Sequence, residues 1–127
     1  MSKNIEFSKF DDYLMAAIAD TVITVKRAQE ILARIGVECS SLNCKIVLLD
    51  ERTVETREVP SHEIMKLSHE MEKLGLDKIY VAFLCQPQLI NRDSDLLSLF
   101  TYKNEYVVQH FSEKEEAIAW LKTQRKS

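Results

Sequence analysis

The stretch "CKIVLLD" (residues 44–50) is apolar at consecutive positions, not at every second one, and its reading decides the fold. A strand with one wet face alternates polar and apolar residues. A continuous apolar run of this length that stops at a charged corner belongs to a strand covered on both faces. "KIYVAFLC" (residues 78–85) repeats the pattern. Two such strands, separated by sequence with helical periodicity, imply parallel pairing through crossovers and hence an α/β domain.

The neighbouring segments extend this reading. "IEFSKF" (5–10) alternates like an edge strand, Asp11-Asp12 marks a turn, and "YLMAAIA" (13–19) follows as a second strand, so the two predict an antiparallel hairpin. A helix is expected over 25–35, opened by Thr24 or Asp20 and closed by Gly36, with Ala28, Ile31, Leu32 and Ile35 on one face. Further helices are expected over 61–74 and 94–102. "YVVQHF" (106–111) is the last strand, and "SEKEEAIAWLKTQ" (112–124) the last helix, with Ser112 and Glu115 at capping-box spacing. The order is β-β-α-β-α-β-α-β-α. It predicts a mostly parallel sheet of about five strands, with an antiparallel edge strand and about four helices. Helices on both sides, or a second copy of the chain, would cover the two faces.

With 127 residues, 46% of them hydrophobic, the chain suffices for one compact domain spanning 1–127. Two glycines and two prolines leave no linker or low-complexity tract. The basic ending "KTQRKS" reads as a frayed tail from about residue 123. A net charge of −3, without a basic stripe, gives no electrostatic footprint for nucleic acid. No apolar run approaches a membrane span, and "MSKNIEFSKFDD" lacks a signal core, so a cytoplasmic protein without membrane insertion is expected. An odd cysteine count of three fits that compartment, with the thiols acting as small hydrophobes.

Chemistry-bearing residues are few. His62 and His69 lie two turns apart on the helix expected over 61–74, on a stripe shared with Lys66 and Lys73 whose ammonium groups would repel a cation. His110 reads as a half-buried sheet residue. Cys39 and Cys44 lack the CxxC spacing of a redox or zinc pair. Cys85, ending a strand ahead of a helical segment, is the one candidate for a reactive thiol. With only Gly36 and Gly75, neither a dinucleotide fingerprint nor a phosphate loop can be built. Asp11-Asp12 and Asp50-Glu51 are adjacent in sequence and so point apart, which suits turns better than acid/base pairs. No cofactor, metal site or catalytic constellation is therefore expected. What remains is the rim at the carboxyl ends of the strands, where open parallel sheets engage ligands and partners. That rim would carry Asp50, Glu51 and Arg52, then Ser61 and His62 at a helix start, and Cys85, Gln86, Asn91, Arg92 and Asp93 on a later loop.

This order of elements, with the Asp50–Arg52 corner, the strand "KIYVA" (78–82) and the closing "EEAIAWL" (115–121), resembles the SpoIIAA-like (STAS-like) domains. It is most similar to their small stand-alone bacterial members of unknown function. The resemblance spans nearly the whole chain, although each motif is mainly a fold signature. It implies a serine at the start of the helix after the third strand as a phosphorylation site. Ser61 is the nearest match, but "VPSHEI" replaces the family's Asp-Ser-Ser-Gly-like motif: Pro60 stands for the Asp and the following Gly is missing. The expected function is a non-enzymatic regulatory or protein-interaction module, docking an unknown protein or a second copy of the chain. Ser61 serves it as a switch, or only as a helix cap. The alternative is a small-molecule or lipid-binding module with a cleft between helices and sheet.

Overall fold

The computed structural model describes residues 5–60, 62–63, 66, 70, 73, 79–89 and 107–124. Five strands form the main sheet: β1 (Glu6–Lys9), β2 (Leu14–Ala17), β4 (Ile46–Asp50), β6 (Tyr80–Leu84) and β7 (Val107–Phe111), side by side in that order. β1 is the antiparallel edge, joined to β2 by a hairpin in which Phe10 N–H donates to Tyr13 O at 2.9 Å across Asp11-Asp12. All other neighbours run parallel, with Asp50 in register with Ala17 and Leu84, and Leu84 with Phe111.

The doubly apolar runs are explained by what lies on each face. Val47, Leu49 and Val81 face one layer, in a core shared with Ile31, Ile35 and Cys39 of helix α1 (Val25–Leu42). Leu48, Ala82 and Leu84 face the other, against Ala117 and Leu121 of helix α2 (Lys114–Gln124). Because each parallel step adds the next strand on the same side, right-handed crossovers put the connecting helices on one face. Accordingly, Gln29 of α1 bonds Glu70 of the second crossover at 3.2 Å. α2 follows the last strand and folds beneath the opposite face. Leu48, Leu84 and Leu121 are fully buried, each contributing about 1.5–3 kcal/mol relative to exposure.

Several expectations need correction. α1 does not stop at Gly36 but runs through it to Leu42, because Gly36 is buried on the sheet-facing side, where a residue without a side chain lets helix and sheet approach. The true stop is Asn43, left-handed at φ 51° and ψ 46°. At the other end Thr24, not Asp20, is the cap, its hydroxyl accepting from Arg27 N–H at 3.2 Å. α2 opens at Lys114, and its first turn is closed by Ala117 N–H on Glu113 O at 3.2 Å. Glu113 therefore takes the cap position that the Ser112–Glu115 spacing had suggested for Ser112.

Three helices, not about four, are seen among the described residues: α1, α2 and a stretch between them whose described members His62, Glu63, Lys66, Glu70 and Lys73 are all helical. Pro87, Gln88 and Leu89 form a helical turn, and the helix expected over 94–102 lies outside the described residues. Also unforeseen is a second, two-stranded parallel sheet, β3 (Val22–Thr24) with β5 (Thr56–Glu58), set on the segments that leave β2 and β4. Among the described residues no helix is long and apolar enough to cross a membrane.

Candidate functional site

The carboxyl ends of the parallel strands are knitted one residue past the strands proper. Ile18 N–H donates to Asp50 O at 3.1 Å, Glu51 N–H to Leu84 O at 2.9 Å, and Cys85 N–H to Phe111 O at 2.9 Å. The rim is thus a level shelf, and the β3–β5 sheet is fastened over one part of it. Glu55 N–H donates to Thr21 O at 2.7 Å, and the Thr53 hydroxyl to Asp20 O at 2.8 Å.

At the end of β4, adjacent carboxylates part company as alternation requires. Asp50 turns to the open side and holds Arg52 in a fork: Nε on Oδ1 at 3.0 Å and an Nη on Oδ2 at 2.8 Å. Arg52 N–H also donates to Asp50 Oδ1 at 3.2 Å, and Gln86 Nε2 donates to Arg52 O at 2.9 Å. The Arg52 side chain is nevertheless 52% exposed, while Asp50 is 13% exposed. The Asp50 hydrogen bonds raise the Arg52 pKa further, so its charge is permanent.

Glu51 turns inward and is buried, paired with Arg57 of β5. The Arg57 guanidinium lies 5.8 Å from the Phe83 ring centroid, and Phe83 stacks on His110 at 5.0 Å and 17°. Burial, with the Arg57 charge as the second cause, lowers the His110 pKa to about 4. Burial likewise raises the Cys85 thiol, against the opposing charge and hydrogen bond of Arg57. Cys85 is 1% exposed and held as a neutral thiol, which removes the conditions for a reactive one. A second ion pair closes the shelf below β3, where buried Asp20 takes Arg27 Nε at 2.8 Å and an Nη at 3.2 Å.

Of the residues expected at the rim, Asp50, Arg52, Cys85 and Gln86 are brought together. His62 is helical, 74% exposed and 3.4 Å from Glu63 Oε1, but no contact among the described residues joins it to the Asp50–Arg52 fork. Ser61, Asn91, Arg92 and Asp93 lie outside the described residues, as does His69. Sequence reading missed Arg57 and Arg27, and offered Asp20 only as a helix opener, not as the partner of Arg27. A lone arginine in the three-residue segment "TRE" carries no periodic signal, and its buried partner is fixed only by the pairing of β3 with β5. Among the described residues no group of three or more His, Cys, Asp or Glu is arranged to hold a metal ion.

This architecture matches a solved structure. An uncharacterised protein of the DUF3478 family from Shewanella loihica PV-4, with a SpoIIAA-like fold, superposes with a TM-score of 0.58. The fold is SpoIIAA-like. Identity is 18%, over 95% of this chain and 98% of the other, so the likeness extends to the fold alone. No protein-family model matches this chain, and no curated protein does. The SpoIIAA-like sheet nonetheless accounts for the rim, since its parallel strands end together where Asp50, Glu51 and Cys85 emerge.

Proposed function

We propose that the chain is a non-enzymatic regulatory or protein-interaction module of the cytoplasm, docking a protein partner through the rim around Asp50 and Arg52. The observation that carries this reading is the exposed Arg52 guanidinium, fixed in its fork on a shelf whose inner charges are paired. An arginine already ordered loses little side-chain entropy on docking, and arginines are enriched among the residues that dominate interface energy.

Within this reading Ser61 is the switch. It directly precedes His62, where the described helical residues begin, so a phosphate there would add nearly two negative charges beside a helix start. Intact mass of protein drawn from its own cells tests this. One added phosphate, lost in Ser61→Ala, supports the switch, and an unmodified mass reduces Ser61 to a structural residue.

The docking reading is tested with the partner recovered from those cells. Arg52→Glu weakens its binding at least tenfold, about 1.4 kcal/mol, and the fall in thermal midpoint from setting a second carboxylate beside Asp50 is read separately on the free protein. Equal binding by wild type and Arg52→Glu would overturn the assignment.

A further inference from the structure

The end of α1 brings together two cysteines that their sequence spacing keeps apart. Asn43 N–H donates to Ser40 O at 3.4 Å and Cys44 N–H to Cys39 O at 3.0 Å, around the left-handed Asn43. That pair of bonds is the Schellman termination, in which the residue after the left-handed one bonds back to the helix residue five positions before it, and the side chains at these two positions commonly pack together. Here both of those positions are cysteine. The 3.0 Å backbone bond holds the two residues side by side, the arrangement that a disulfide, with its roughly 4.4–6.8 Å Cα separation, requires. Both thiols are free. Cys39 is buried in the main core, and Cys44 packs at its margin, half-buried, with its Sγ–H on Ile46 O at 3.4 Å.

We propose that Cys39 and Cys44 form a reversible dithiol–disulfide site, oxidised by small-molecule disulfides of the glutathione class. The half-exposed Cys44 thiolate attacks one sulfur of the small disulfide, forming a mixed disulfide and expelling one small thiolate. Cys39 then loses its proton to water and attacks Cys44 Sγ. The protein disulfide forms, the second small thiolate leaves, and both leaving groups take up protons. Two protein thiols are thereby oxidised by two electrons, and one small disulfide is reduced to two thiols. Burial, reinforced by Cys44 and then Glu38, raises the Cys39 thiol to about 11, so its thiolate is scarce at neutral pH and its attack on Cys44 is the slow step of the exchange. The loop closed is short, so the bond is a weak staple and its use is chemical. Cys85 takes no part. It follows β6 at the opposite end of the sheet, in register one residue past Asp50, on the order of 20 Å from Cys44 at about 3.3 Å per residue.

The test equilibrates the full chain with reduced and oxidised glutathione, then reads intact mass and maps alkylated thiols. The wild type is expected to lose two hydrogens, keep no glutathione, and leave Cys85 as the one thiol alkylated after acid quenching and denaturation. Cys39→Ser is expected to retain glutathione on Cys44, at least tenfold more than the wild type does. A wild-type protein that accumulates the Cys44 adduct, or links Cys85, overturns the proposal. That wild-type reading stands even where Cys39→Ser, or Cys39→Ala in its place, fails to fold.

Discussion

Arg57 governs the interior of the rim. It pairs with buried Glu51 and lies over Phe83, and its charge disfavours a proton on His110 while opposing the burial that raises the Cys85 thiol. Removing one partner of a buried ion pair strands the other, so Arg57→Met is expected to cost about 3–5 kcal/mol in denaturant unfolding. Arg57→Met combined with Glu51→Leu should recover most of that loss, and a cost below about 1 kcal/mol for the single change would contradict the pairing. His110 gives a pH signature. Its folded value of about 4 lies below its ordinary 6.5, so between these limits the unfolded chain binds the extra proton. Stability is therefore complete above about pH 6.5 and falls as pH drops towards 4. His110→Gln should flatten that part of the profile of unfolding midpoints against pH. An unchanged profile would exclude burial of the imidazole as its source. His110 was legible as half-buried from its place in "YVVQHF", but its neighbour Arg57 was not, since the two come from distant segments.

The two ends of α1 show what governs an element's limits. Thr24 caps it through a single side-chain bond, and Asn43 ends it at positive φ. Thr24→Ala is expected to cost about 1 kcal/mol. Asn43→Gly should stabilise by up to about 1 kcal/mol, because glycine reaches the left-handed region without a Cβ penalty. Thermal unfolding of both variants checks the pair, with midpoint shifts of opposite sign. Thr24 was readable because a cap precedes a periodic run. Gly36 misled because glycine ends helices by its freedom but also lines close helix–sheet contacts, and only the burial of its neighbours Ile35 and Cys39 decides between these. β3 and β5 were illegible for another reason. Three-residue strands exist through their pairing and carry too few residues for an alternation to show.

At the scale of the molecule, the main sheet was written in composition. Apolar runs at 46–50 and 80–84 demand two covered faces, and α1 and α2 supply them, so no second copy is needed for that purpose. The rim's outer pair, Asp50 and Arg52, was readable because the strand's end places it there. Its inner pairs were not, because charge pairing across segments leaves no trace in spacing. Among the described residues the strand ends form a level shelf in which buried Glu51 is paired with Arg57, and the Arg52 guanidinium, fixed by Asp50, faces outward. Native mass spectrometry of the protein drawn from its own cells, as wild type and Arg52→Glu, tests that account most directly. The account predicts a complex with a protein partner or a second copy, depleted at least tenfold by Arg52→Glu, which corresponds to about 1.4 kcal/mol. A stoichiometric small-molecule or lipid adduct, unchanged by Arg52→Glu and without any protein complex, would contradict it.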